Sequence, residues 1–355
     1  MSERVLIVAG GTGGHIYPAL AVAEILREEG VGLRWLGARG GMEERLVARH
    51  GIAIETLRVS GLRGRGLLGW LVAPLMVLVA TLQAVAAIRR FNPGVVLGMG
   101  GFVSGPGGLA AFFCRRPLVI HEQNAVAGLT NRVLSRLAVR VLEAYPGCFG
   151  KRGLETGNPV RAAIVAVGNV PRSPPAGRKL RVLVVGGSRG ARRLNEVLPA
   201  ALASTTFDSM DVWHQTGEAG LAATREAYAA HGIAARVDPF IDDMPAAYAW
   251  ADLVVCRAGA MTLAEVTVAG LPSVLVPFPH AVDDHQTANA RYLAAAGAAV
   301  LTPDQELAPG PLGTLLQALA SDAQRLLEMG QRARRLARPD AAAKVAEHCR
   351  ELLRA

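Results

Sequence analysis

Short apolar runs recur along the chain, and between them apolar and polar positions are spaced as on helices, so the pattern reads as alternating strands and helices. The first half gives strands at Arg4–Ala9, Leu33–Leu36, Ile52–Val59, Val95–Met99, Leu118–His121 and Val139–Glu143. Between them lie helices opened by Pro18 and running through Glu29, over Met42–His50, over Gly66–Ile88, up to Phe113, and over Gly128–Leu137. Pro and Gly interrupt the alternation at Gly157–Arg161 and at Gly168–Lys179. It resumes with strands Arg181–Val185, Asp211–Gln215, Arg236–Phe240, Leu253–Cys256 and Ser273–Val276. Their helices run to Ala203, over Ala219–His231, Pro245–Trp250 and Thr262–Ala269. After Asp304 the chain is helical and polar; Pro339 breaks it, and Ala341–Arg354 makes a last helix.

Such alternation predicts an α/β fold of two doubly wound, Rossmann-like domains with mostly parallel sheets. The first is expected over residues 1–158 and the second over 159–339, with the helix at 340–355 returning to the first. Ligands of such folds bind outside the carboxyl ends of the strands, so the facing edges are expected to form one cleft.

The stretch Leu253–Ala290 concentrates the chemistry. A strand feeding a Gly turn and a helix leaves backbone N–H groups unpaired at the positive end of the helix dipole, which suits a diphosphate. Glu265 lies one turn inside that helix, and Gln286 and Asn289 follow the next strand. Phosphates on the helix, ribose hydroxyls on the carboxylate and sugar hydroxyls on the amides would accommodate a sugar nucleotide. The same residues also allow a capping box, in which Thr262 and Glu265 only satisfy the first helical donors.

Gly10-Gly11-Thr12-Gly13-Gly14-His15 follows a strand and opens a helix, but it lacks the last Gly of GxGxxG, an acidic residue at the end of the second strand and the Lys of a P-loop. A dinucleotide or ATP site is therefore disfavoured. His15 reads either as a hydrogen-bonding residue of the helix start or as a general base. Gly98–Gly108 and Gly186–Gly190 follow strands in the same manner, and His121-Glu122-Gln123-Asn124 ends another. Glu122 pairing with an Arg and Asn124 capping a helix stand beside ligand contact as readings of that last run.

Composition narrows the class. Of 355 residues 51% are hydrophobic and 19% charged, which excludes general disorder, and the length suits two domains. The net charge of +9 favours anionic partners, while 5% aromatics and no Lys/Arg-rich motif argue against nucleic acid, leaving acidic lipid or phosphorylated substrates. Four separated cysteines suggest a reducing, cytoplasmic compartment. The uncharged segment Gly66–Ile88, flanked by Arg63, Arg65, Arg89 and Arg90, has the length of a membrane span. A span would separate strands expected in one sheet; of the two remaining readings, a core helix and a helix lying in the membrane interface, the second covers the outer apolar face and is preferred.

The motifs AGGTGGHIYPALAVA, SGLRGRG, VVLGMGGFVSGPGGLAA, HEQNAVAGLTN, GNPVR, VLVVGGSRGA, WHQTG, FIDDMPAAYAWAD, VVCRAGAMTLAEV, AGLPSVLVPFPHA and DHQTANA run in order from residue 9 to 290. In them the chain closely resembles the MurG family, the bacterial UDP-N-acetylglucosamine:undecaprenyl-diphosphoryl-muramoyl-pentapeptide N-acetylglucosaminyltransferases. The resemblance implies a GT-B fold and an inverting transfer of N-acetylglucosamine (GlcNAc) from UDP-GlcNAc to the muramoyl C4 hydroxyl of lipid I, forming lipid II. It implies donor binding by Thr12, Gly13, Gly14, Asn124, Arg161, Ser188, Ile241, Ala260, Met261, Thr262, Leu263, Ala264, Glu265 and Gln286. Glu265 would hold the ribose, Ala260–Leu263 the α-phosphate and the main chain of Ile241 the uracil; His15 would be the base. His121 and Glu122 are expected on the acceptor side. The apolar helix matches a patch for an anionic membrane surface, so a peripheral place on the cytoplasmic face of the membrane is expected, together with contacts to other cell-wall synthesis proteins. This copy of the helix carries fewer internal basic residues than the family pattern, shifting reliance to the flanking arginines. No cofactor is expected, and no DxD-like carboxylate pair suggests a bound metal. A 2-epimerase-like enzyme, another UDP-sugar-dependent lipid glycosyltransferase or a non-catalytic membrane sensor are the competing readings.

Overall fold

A computed structural model describes residues 3–59, 66–173, 177–187, 191–204 and 210–354, and divides them into two units. One comprises the chain up to Arg161 together with Arg338–Ala355; the other is Ala162–Ala337.

The first unit runs β1 (Arg4–Val8), α1 (Gly13–Glu28), β2 (Gly32–Ala38), α2 (Met42–Arg49), β3 (Ile54–Leu57), α3 (Gly66–Phe91), β4 (Val95–Gly98), α4 (Ser104–Phe113), β5 (Leu118–Glu122), α5 (Leu129–Leu134), β6 (Arg140–Glu143) and β7 (Gly153–Glu155). Its strands form one parallel sheet in the order β3-β2-β1-β4-β5-β6-β7. Strands such as Val95–Gly98 are buried along their whole length, as a sheet covered on both faces requires. One core cluster joins α1 and the C-terminal helix to the sheet through residues including Ile16, Leu20, Val345 and Cys349. The opposite cluster joins α3, α4 and α5 through Ala84, Ile88, Ala110 and Leu134.

The second unit runs α6 (Ala162–Gly168), β8 (Leu180–Val185), α7 (Arg192–Ala203), β9 (Met210–Gln215), α8 (Leu221–Ala230), β10 (Ala235–Asp238), α9 (Met244–Trp250), β11 (Leu253–Cys256), α10 (Ala260–Val268), β12 (Ser273–Leu275), α11 (His285–Ala295), β13 (Ala299–Leu301), α12 (Pro309–Ala320) and α13 (Ala323–Leu336). The last helix, α14 (Ala341–Arg354), belongs to the first unit and packs on α1. The second sheet is also parallel, in the order β10-β9-β8-β11-β12-β13. In both sheets strand order reverses beside the unit's first strand, between β1 and β4 and between β8 and β11. Such switch points place a crevice at the carboxyl ends of those strands.

The residue pattern does not announce β7, α6 or β13. It also misplaces some boundaries: α1 begins at Gly13 with Pro18 inside it, and the helix after β5 stops at Leu134 rather than Leu137.

Helix α3 connects β3 to β4, strands of one sheet, so a bilayer crossing would tear that sheet apart. By length and composition its Ala73–Phe91 part would nonetheless pass for a span. Side-chain size is sorted around it. Ala73, Ala80, Ala84 and Ala87 are buried, whereas Leu75, Leu78 and Leu82 are 60%, 55% and 60% exposed. Small residues let the helix lie close to the unit, and the leucines recur at helical spacing along the outward stripe. Residues 60–65, with Arg63 and Arg65, lie outside the described residues.

Candidate functional site

At the switch point of the second sheet, β11 ends at Cys256 and the chain turns through Gly259 into α10. Gly259 is the N-cap, with no side-chain cap. Leu263 donates its N–H to the Gly259 carbonyl at 3.0 Å, while among the described residues the N–H groups of Ala260, Met261 and Thr262 have no hydrogen-bond partner. Thr262 therefore sits inside the first turn, and the capping box allowed by the sequence does not form. The result is a helix start with adjacent open donors, the geometry that takes a phosphate. Leu263, also in the expected set, spends its amide on that helical bond.

Glu265 is buried on the next turn of α10, and its Oε2 accepts from the Tyr248 hydroxyl at 3.0 Å. Tyr248 comes from α9, whose start is capped by Asp243 accepting from Ala246 N–H at 3.0 Å. Arg257 spans three strand ends, donating to the carbonyls of Val276 and Pro277 at 3.2 Å and to Asp304. That clamp fixes the chain leaving β12, where Phe278 N–H donates to Oε1 of Gln286 in the first turn of α11 at 2.9 Å. Asn289 does not fit the expected sugar contact: it is fully buried and donates to the Ala258 carbonyl at 3.2 Å, bracing the turn before α10. Ile241 lies buried just after β10, Ala264 follows Leu263 in α10, and Ser188 falls outside the described residues.

At the switch point of the first sheet two Gly loops lie on each other. Thr12 is the N-cap of α1 and His15 its third residue, with His15 Nδ1 3.3 Å from Thr12 Oγ1. Gly13 and Gly14 form the first turn. A Cβ on Gly100 would come within 2.4 Å of the His15 ring, and one on Gly101 within 2.0 Å of the Gly10 carbonyl oxygen. Only glycine permits that approach, and both have positive φ. Ser104 locks the second loop by accepting from Gly100 N–H at 2.9 Å and donating to the Val8 carbonyl at 3.3 Å. Arg161 lies over the Tyr17 ring at 4.8 Å, one turn from Thr12 along α1.

His121 and Glu122 do not have the geometry of acceptor contacts. Both are buried. His121 Nε2–H donates to the Gly157 carbonyl at 2.9 Å, and Gln123 Nε2 lies 3.1 Å from its Nδ1. Burial holds the imidazole neutral, with its pKa lowered to about 4. Glu122 accepts from the N–H of Asn124 and Gly128 and from the side chains of Asn124 and Asn131, at 3.1, 3.2, 3.2 and 2.9 Å. It pairs with amides rather than an Arg, and Gly128, not Asn124, caps α5. These groups shape the loop that presents Asn124.

Residue patterns did not single out Tyr248, Arg257 or a third group, Glu43. No local spacing marks them, because their partners lie on other elements.

Comparison with known families gives two matches in series. Residues 5–143 match the glycosyltransferase family 28 N-terminal domain, and residues 181–345 match the glycosyltransferase family 28 C-terminal domain. The chain is 57% identical over 99% of both sequences to a protein of Alkalilimnicola ehrlichii named UDP-N-acetylglucosamine–N-acetylmuramyl-(pentapeptide) pyrophosphoryl-undecaprenol N-acetylglucosamine transferase. A protein of Nitrosococcus oceani with the same name is 54% identical, again over 99% of each. The crystal structure of Acinetobacter baumannii MurG superposes with a TM-score of 0.82 at 41% identity, covering 98% of this chain and 99% of that one.

Proposed function

The chain belongs to glycosyltransferase family 28, with the GT-B type of fold, and on that premise we propose that it is a hexosyltransferase making lipid II. It moves GlcNAc from UDP-GlcNAc to the C4 hydroxyl of the N-acetylmuramoyl sugar of lipid I. The observation that carries this reading is the open start of α10 with Glu265 one turn behind it.

In the proposed reaction the C4 oxygen of the acceptor attacks the anomeric carbon of GlcNAc as the bond from that carbon to the β-phosphate oxygen breaks. The configuration inverts, UDP leaves with the bonding pair, and the hydroxyl proton passes to a base. Negative charge accumulating on the diphosphate is met by the N–H groups of Ala260, Met261 and Thr262, fixed in place before the reaction. Glu265 accepts from the ribose hydroxyls. Thr12, Gly13, Gly14, Asn124, Arg161, Ile241, Ala264 and Gln286 complete the donor contacts.

His15 is assigned the proton. For that its Nε2 must carry the lone pair, which requires Nδ1–H to donate to Thr12 Oγ1 across the 3.3 Å contact.

The acceptor is lipid-borne, and we assign the outward stripe of α3, continued by exposed Phe112, Phe113, Leu129 and Val133 on α4 and α5, to the cytoplasmic membrane surface. An apolar face of this kind inserts into the headgroup boundary while flanking arginines reach anionic lipid. Arg89 supports that; Arg90 is partly drawn off by its ion pair with Glu55.

The test is incubation of the purified chain with labelled UDP-GlcNAc and lipid I in vesicles, in the presence of a chelator. A β-1,4-linked disaccharide lipid with one UDP released per transfer supports the proposal. Epimerised donor without acceptor, or donor bound without turnover, overturns it.

A further inference from the structure

Glu43 is a carboxylate that the reaction does not touch, yet it is fully buried on the first turn of α2. Its two oxygens serve two different loops. Oε1 accepts from Ala38 N–H at 2.8 Å, at the end of β2, and Oε2 accepts from Gly11 N–H at 3.3 Å, in the loop after β1. Gly11 has φ of 90°, a left-handed backbone that favours glycine.

Three glycines make the space. A Cβ on Gly10 would stand 2.2 Å from Glu43 Oε1, one on Gly37 would stand 2.7 Å from its Cγ, and one on Gly41 2.3 Å from Oε2. Glycines drawn from three separate segments thus converge on a single side chain. In a nucleotide-binding Rossmann unit the backbone of this first Gly loop approaches the pyrophosphate. Here the chain's own carboxyl group already holds the Gly11 donor.

From this geometry we infer that Glu43 is a positioning residue for the transfer. It ties the first Gly loop to the end of β2 and so fixes the loop that carries Thr12 and His15. The inference rests on the proposed role of His15 in accepting the acceptor's proton. Gln is the discriminating replacement because its shape is the same but one acceptor oxygen becomes an NH2 donor. Whichever way the amide turns, one of the two backbone N–H groups then meets another donor.

The experiment compares Glu43→Gln with the parent chain in the lipid I vesicle assay, alongside calorimetric titration with UDP. The expected result is a kcat reduced at least tenfold, with UDP affinity, which rests on α10, within twofold of the parent. A general loss of folding would instead lower the amount of competent protein, so near-ultraviolet circular dichroism and the UDP stoichiometry are read on the same samples. If Glu43→Gln does not fold, Gly41→Ala crowds the same carboxylate at a backbone φ of −75° that alanine accepts, and at least a threefold fall in kcat is expected. Unchanged kcat in a folded variant, or a tenfold loss of UDP affinity, would overturn the assignment. Absence of transfer by the parent chain would instead overturn the proposed function.

Discussion

The Tyr248 hydroxyl stands 3.0 Å from Oε2 of Glu265, both groups buried, so one carboxylate oxygen is oriented by the protein and the carboxylate cannot swing freely. The bond joins α9 to the helix whose N-terminus is assigned the diphosphate. Glu265→Ala is expected to raise donor KM at a cost of about 1.5–3 kcal/mol, the range for hydrogen bonds to a charged group. Tyr248→Phe removes the orienting bond and is expected to raise donor KM roughly threefold to tenfold with kcat little changed, a cost of about 1 kcal/mol. Steady-state kinetics with varied UDP-GlcNAc check both; an unchanged KM for Glu265→Ala would leave the residue a purely internal partner of Tyr248.

His15→Ala is expected to lower kcat by about 10²–10⁴ while UDP affinity stays near the parent value, as for loss of a general base. Single-turnover measurement with saturating donor checks this. A fall of less than tenfold would move the base elsewhere.

Exchanging Leu75, Leu78 and Leu82 together for Gln should release the chain from vesicles, because leucines of this kind each contribute up to about 1.5–3 kcal/mol when buried. The three side chains point outward, so thermal stability should change little. Vesicle co-sedimentation reads the binding, and activity on a short-chain soluble acceptor should be retained. Raising salt should weaken binding less than the triple exchange does, since Arg90 is paired with Glu55.

Two buried imidazoles are expected to weaken the fold on acidification. His121 has its pKa lowered to about 4 and His214 to about 3, both chiefly by burial, against 6.5 in the unfolded chain. A histidine held neutral in the fold leaves stability intact above the unfolded pKa. As pH falls below 6.5 the unfolded state takes up protons that the fold refuses, so stability drops with a slope approaching about 1.4 kcal/mol per pH unit for each group, until the folded pKa is reached. His121 lies in the first unit and His214 in the second, so both should weaken. Denaturant titrations at a series of pH values between 7.5 and 4.5 check the sign; rising stability on acidification would contradict it.

The two βα series were legible because fully covered parallel strands are continuous apolar runs, as in Val95–Gly98. β7 and β13 escaped notice for the opposite reason. Each has three residues, and the edge strand Gly153–Glu155 is largely exposed, so no apolar run marks it. α6 was hidden by the Pro and Gly residues on either side. The site was legible where chemistry follows chain order, as at Gly259 to Glu265, although the capping-box reading failed because the helix starts two residues before Thr262. It was illegible where polar groups turn inward. Nothing local says that His121 and Asn289 serve backbone carbonyls, or that Glu43 in the run Met42-Glu43-Glu44-Arg45 is the buried one of two adjacent acids.

The central claim is that the leaving diphosphate rests on the start of α10. A crystal structure of the chain with UDP tests it most directly. The account predicts phosphate oxygens within hydrogen-bonding distance of the Ala260, Met261 and Thr262 N–H groups, with the ribose on Glu265. A diphosphate seated on the Gly10–Gly14 loop instead, or one that leaves those three amides unengaged, would contradict it.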